Sequence, residues 1–127
     1  MRCATASSAD TPRAVAIGRA ALGIIEVVPG TTVLNVLSKG WPDGFDGHLQ
    51  IGRTPPLSSD KAATHFPILH KHTLVPYEEM LFFDDCNWGD HVGHVEKRWG
   101  VVGQRTPNGM TVAEWEAGLA LFAKRRS

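Results

Sequence analysis

The chain has 127 residues, 43% of them hydrophobic, enough for one globular domain with a buried core, so a single domain over residues 1–127 is the first expectation. Thirteen basic residues balance thirteen acidic ones, and no run of like charges precedes the short Lys124-Arg125-Arg126 tail. That composition excludes non-specific attraction to polyanions or membrane surfaces and predicts neither a nucleic-acid nor a membrane partner.

The two cysteines, Cys3 and Cys86, lack CxxC spacing and are too few for a disulfide scaffold, which points to a reducing, cytoplasmic compartment. Met1 to Ser8 is small and hydroxylated, with Arg2 and Arg13 nearby, as an organelle transit peptide begins. Asp10 and the apolar run after it argue against that alternative. The run from Ala14 to Val28 is itself broken by Arg19 and Glu26, too short and too charged to span a bilayer.

In chain order, Asp10 or Thr11 before Pro12 is a helix-start signature, because a side-chain oxygen can cap free amides and proline is tolerated in the first turn. A helix over 12–22 follows. Ile24 to Val28 is β-branched, ends at Pro29-Gly30 and predicts a short buried strand. From Thr31 to Asp60 no period is sustained, and Gly40, Pro42, Gly44, Gly47, Gly52, Pro55 and Pro56 are scattered through it. Residues 31–60 are therefore expected to be a dispensable loop, which at that length is a lid, an insertion or the product of a faulty gene model.

A helix is expected near 61–72, with Pro67 in the first turn of a segment starting near Thr64. Met80 to Phe83 is a continuous apolar run ending in Asp84-Asp85, the pattern of a parallel strand buried on both faces that delivers carboxylates at its end. A helix from about Asp90 to Trp99 stops at Gly100, and Val101-Val102-Gly103 makes another strand. Thr111 with Glu114 forms a capping box, after which Val112, Trp115, Leu119 and Phe122 recur at helical spacing. Helices alternating with short apolar strands imply a parallel, doubly wound α/β sheet.

Chemistry concentrates in Leu81 to Asp90, where three carboxylates stand at and beyond a strand end. Hard divalent cations take such oxygens, and magnesium needs only one or two of them. The plainer reading is that Asp84 and Asp85 end the strand and Asp90 caps the next helix. His91 and His94, at i and i+3, have spacing that could hold zinc, but a zinc site needs a further ligand. Cys86 lies beside the carboxylates, whose charge disfavours a thiolate.

The segments Val75 to Asp85, Gly100-Val101-Val102 and Asn108-Gly109-Met110-Thr111 resemble the magnesium-dependent phosphatase family of the haloacid dehalogenase superfamily. Upstream, Ala6 to Pro12 is similar to that family's second motif, and Lys61 with Thr64-His65-Phe66 to its third. The resemblance implies a Rossmann-like fold and a phosphatase acting on a phosphorylated small molecule or a phosphotyrosine-type substrate with Mg2+. By motif position, Asp85 would be a direct metal ligand, Asp90 an outer-shell partner, and Asp84 could orient either. Ser7 would donate a hydrogen bond to phosphoryl oxygens, and Lys61 would offset the charge of nucleophile and phosphate.

The sequence departs from the family at three places. No Asp-x-Asp-x-Thr is present, so the attacking aspartate, the general acid/base and the first, central strand of the sheet are not found. Ser8 and Ala9 stand where arginine and threonine are usual. About thirty residues separate the Pro29-Gly30 turn from Lys61, a connection that the family keeps very short. Two readings follow: a magnesium-dependent phosphatase, or a catalytically inactive relative that binds metal, phosphate or a partner protein. Unpaired strand edges beside the missing strand also predict self-association.

Overall fold

The computed structural model describes residues 1–127 and is mixed α/β, with six short strands in three two-stranded sheets and five α-helices. Its contacts divide into two compact units, Met1–Thr73 and Leu74–Ser127. No helix is long and apolar enough to cross a membrane.

In the first unit, β1 (Thr5–Ser7) leads by a loop into α1 (Pro12–Ile24). The helix starts as the sequence predicts: Thr11 stays extended, its hydroxyl accepts the Ala14 amide at 3.0 Å, and Pro12 occupies the first turn. The strand that follows, β2 (Glu26–Val28), is exposed at every residue rather than buried. Gly30, at φ 82°, reverses the chain there, and β2 pairs antiparallel with β3 (Thr31–Thr32) as a hairpin instead of entering a covered sheet. A capping box follows, in which the Thr32 hydroxyl accepts the Asn35 amide at 3.1 Å and Asn35 Oδ1 accepts the Thr32 amide at 2.8 Å, opening α2 (Val33–Ser38).

β4 (Leu49–Ile51) runs parallel to β1, pairing Thr5 with Leu49, Ala6 with Gln50 and Ser7 with Ile51. Residues 31–60, expected to be without structure, thus hold β3, α2 and β4, and the sole strand partner of β1 lies among them. The loop before β4 is built on stacked rings: Trp41, Phe45 and His48 have centroids 5.1 to 5.5 Å apart. The Arg2 guanidinium sits 4.2 Å over Trp41, whose indole N–H donates to the Cys3 carbonyl at 2.9 Å. Gly47 is required by close approach, since a Cβ there would lie 2.8 Å from His72 Cβ. His48 is wholly buried, its carbonyl accepts the Thr5 amide at 2.9 Å, and neither of its ring nitrogens has a hydrogen-bond partner. The unit ends with α3 (His65–Thr73), where Pro67 falls in the first turn and Ala62, His65, Phe66 and Leu69 form the buried face at three- and four-residue spacing.

The second unit is a βαβ arrangement followed by a helix. A single 3-10 turn at Tyr77–Glu79 precedes β5 (Leu81–Asp84), α4 (His91–Trp99), β6 (Val102–Arg105) and α5 (Val112–Arg126). β5 and β6 are parallel, in register from Leu81 with Val102 to Asp84 with Arg105. Alternation along β6 assigns the faces: a Cβ on Gly103 would meet Val92 and Glu96 of α4, while Gln104 donates to Glu114 of α5 at 2.8 Å. Phe82, Val92, Val95, Val101 and Val102 make the core. Asp90 caps α4 by accepting the Gly93 amide at 3.0 Å, and Gly100 ends it at φ 76°.

The apolar stripe expected on α5 is rotated. Val112 and Leu119 are 74% and 38% exposed, and the inner line runs through Trp115, Gly118 and Phe122. The cause is proximity, because Trp115 stacks on Phe83 at 5.6 Å and a Cβ on Gly118 would lie 2.5 Å from the Phe83 ring. Only half of the expected capping box forms, with the Thr111 hydroxyl accepting the Glu114 amide at 3.1 Å while Gln104 takes the Glu114 carboxylate.

Two predictions follow from this packing. Gly118→Ala gains about 1 kcal/mol of helix propensity but forces Phe83 aside at a cost of about 1–3 kcal/mol. The variant should unfold at lower urea concentration than the parent; a higher midpoint would contradict the packing. Burial holds the His48 imidazole below the ordinary histidine value of 6.5, with the Leu37 backbone and the Asp46 carboxylate opposing it in part. The folded chain therefore binds that proton less readily than the unfolded one. The stability that this contributes is present above pH 6.5 and is lost as pH falls below it, until the lowered pKa is reached. In His48→Phe, thermal stability should fall less between about pH 7 and about pH 5 than in the parent; equal slopes would rule the imidazole out as the cause.

Candidate functional site

Ser7 is the last residue of a parallel strand, and its backbone is fixed from two directions. Its carbonyl accepts the Gly52 amide at 2.8 Å and lies 2.8 Å from His65 Nε2. Gly52, at φ 122°, adopts a conformation that favours glycine, and the next residue, Arg53, donates from Nε to the Ser8 carbonyl at 2.9 Å. The turn after β1 is thus held by the residues that follow β4. Ser7 itself is half-buried and its hydroxyl makes no hydrogen bond, so it is available to a ligand.

Lys61 lies in the turn that enters α3, four residues before His65. Hydrogen bonds within the turn fix its shape: Asp60 Oδ1 accepts the Ala63 amide at 3.0 Å, the Ser58 hydroxyl accepts the Asp60 amide at 3.1 Å, and the Thr64 hydroxyl accepts the Ser58 amide at 3.1 Å. Only 7% of Lys61 is exposed. An ammonium group withdrawn from water acts on a nearby anion more strongly than one on the surface. Within the first unit, His65 and Thr64 thus connect the Ser7 carbonyl to the turn in which Lys61 lies.

The three candidate metal residues lie in the second unit and differ from one another. Asp84 closes β5, is half-buried, and accepts the Cys86 amide on Oδ1 at 2.8 Å, which turns the chain out of the strand. Asp85 is exposed and makes no hydrogen bond or ion pair. Asp90 is committed to Arg105, which donates from Nε to Oδ1 at 3.0 Å and from Nη2 to Oδ2 at 2.8 Å, while Gly93 also donates to Oδ1. The Arg105 hydrogen bond, then the Gly93 amide, hold the Asp90 carboxyl below the usual range, and Asp90 raises Arg105 in turn.

No group of three or more His, Cys, Asp or Glu side chains converges to hold a metal ion. The donor set still suits magnesium in part, because that ion takes one or two protein carboxylates and fills its other positions with water or substrate oxygens. Asp85, whose carboxylate makes no hydrogen bond or ion pair, fits this demand. Asp90 would first have to leave Arg105. Of the two histidines with zinc spacing, His91 is buried edge-on to Trp88, with ring centroids 5.1 Å apart, and His94 is exposed.

Gly52, Arg53 and Arg105, which hold candidate site residues, were not singled out by the sequence, and His65 was named only as part of the motif around Lys61. Arg105 becomes visible only through strand register, which sets it opposite Asp84. Gly52 and Arg53 follow a strand too short for alternation to announce it.

Residues 1–125 match the sequence model of one family, described as Acid Phosphatase. No curated protein and no solved structure matches the chain.

The Arg105–Asp90 pair makes a testable claim about charge. In Arg105→Gln, the Asp90 carboxyl should titrate higher, back toward its ordinary value of 3.8, as followed by carboxyl-carbon NMR. Asp90 stabilises α4 above that value and the contribution is lost as pH falls through its lowered pKa, so the variant should lose it at a higher pH. An unmoved titration would assign the lowering to the Gly93 amide alone.

Proposed function

The chain belongs to the acid phosphatase family, and from that premise we propose that it is a magnesium-dependent phosphomonoesterase of the haloacid dehalogenase type. Its substrates would be phosphotyrosine-type or sugar-type phosphate esters, met in a reducing, cytoplasmic compartment. One observation carries most weight. In each parallel pair the polar residues stand at the carboxyl end of a strand, Ser7 on β1 and Asp84-Asp85 on β5, where open α/β sheets bind their ligands. We take the sheet to be of the Rossmann-like, doubly wound kind, without its first, central strand.

In this reading the Ser7 hydroxyl donates to a phosphoryl oxygen and the Lys61 ammonium offsets the charge that builds up as phosphorus is attacked. That charge is large, since two unit charges about 4 Å apart repel by roughly 4 kcal/mol at an effective dielectric near 20. Asp85 would hold magnesium, with Asp84 oriented beside it, and the ion would supply the positive charge that phosphoryl transfer needs. Asp90 would act indirectly, by fixing Arg105 next to the end of β5.

The attacking carboxylate is a separate matter. No Asp-x-Asp-x-Thr occurs in the sequence, so these residues can position a phosphate ester without opening a covalent route. That absence favours a second reading, in which the chain binds phosphate, metal or a partner without turnover. An aryl phosphate assay with magnesium separates the two. The chain as it stands should be inactive, while one extended by an apolar strand ending in Asp-x-Asp-x-Thr should turn over substrate, and Asp85→Asn should abolish that activity. Magnesium-dependent turnover by the unextended chain would refute the missing-nucleophile argument. Indifference of the extended enzyme to Asp85→Asn would refute the metal assignment.

A further inference from the structure

His65 takes no part in the chemistry above, yet it joins Ser7 to the turn that carries Lys61. It is wholly buried in the first unit. A backbone carbonyl can only accept, so the 2.8 Å approach to the Ser7 oxygen assigns the ring proton to Nε2. Nδ1 faces the Thr64 hydroxyl at 3.2 Å, and that hydroxyl shares its single proton between Nδ1 and the Asp60 carbonyl. Polar contacts at both ring nitrogens fix the orientation of the buried imidazole. The Thr64 hydroxyl also receives the Ser58 amide at 3.1 Å and lies 3.1 Å from the Asp60 carbonyl, so the ring is anchored to the turn that carries Lys61.

We propose that His65 is a positioning residue for phosphate: through Nε2–H it holds the Ser7 carbonyl, sets the height of the Ser7 hydroxyl, and couples that hydroxyl to Lys61. The inference rests on the assignment of Ser7 and Lys61 to the phosphate. A histidine that only filled the core could be replaced by any side chain of similar bulk. A positioning histidine needs a donor at Nε2, which glutamine can supply from its own amide nitrogen and leucine cannot.

The test titrates the full chain and its His65→Leu and His65→Gln variants with inorganic phosphate, by calorimetry, alongside thermal melts. The leucine variant should bind phosphate about tenfold more weakly, as expected for one lost buried hydrogen bond, and the glutamine variant should recover most of that loss. A folded His65→Leu that binds phosphate as tightly as the parent overturns the proposal, as does a folded His65→Gln no better than leucine. Where leucine unfolds the chain, nitrogen NMR of the parent decides: a His65 ring protonated at Nε2 supports the inference and one protonated at Nδ1 overturns it. If the parent itself fails to bind phosphate, the assignment of Ser7 and Lys61 falls. The contact of His65 is then read from the Ser7 carbonyl carbon shift, which should move with leucine and return with glutamine; a shift that leucine leaves unmoved overturns it.

Discussion

A strand covered on both faces has no room for a charged side chain along its length, and this constraint organises the chemistry of the molecule. β5 shows it directly: Phe82 is buried, Leu81 and Phe83 are half-buried with Phe83 against α5, and the first carboxylate comes only with the last residue, Asp84. β1 is shorter and carries a hydroxyl at each end: Thr5, whose Oγ1 is buried without a hydrogen-bond partner, and Ser7, which stands at the carboxyl end. Polar groups that could serve a ligand are therefore delivered where strands stop, and the loops beyond decide how firmly they are held.

Each unit holds its strand end by a different physical means. In the first, neutral hydrogen bonds converge on a backbone oxygen, with Gly52 and His65 both directed at Ser7. In the second, charge does the holding, since Arg105 grips Asp90 through two short hydrogen bonds while Asp84 bends the chain by accepting the Cys86 amide. The consequence for function is a division of roles among the aspartates. Asp85 keeps its carboxylate unengaged, and Asp90 spends both oxygens on structure.

How much of this was legible in the sequence depends on the length and burial of each element. α4 announced itself through Asp90 and Gly100, and β5 through an unbroken apolar run, because local chemistry dictates both. β4 was hidden because three residues cannot display a period, and the ring stack of Trp41, Phe45 and His48 that supports it depends on contacts no propensity describes. The orientation of α5 was misread for a related reason. Hydrophobicity pointed to Leu119 as inward, whereas the close approach of Phe83 selects the glycine beside it. Among candidate site residues, motif position singled out Ser7, Lys61 and the three aspartates, while the residues that hold them required strand register and side-chain geometry.

The central claim is that this chain carries phosphate contacts at the end of β1 and a metal contact at the end of β5. The most direct measurement is an amide NMR titration of the intact chain, first with inorganic phosphate and then with magnesium. Phosphate should produce saturable shifts concentrated at residues 7–11 and 61–65, and magnesium should produce them at 84–87. Shifts confined to other segments, or none that saturate, would contradict the account.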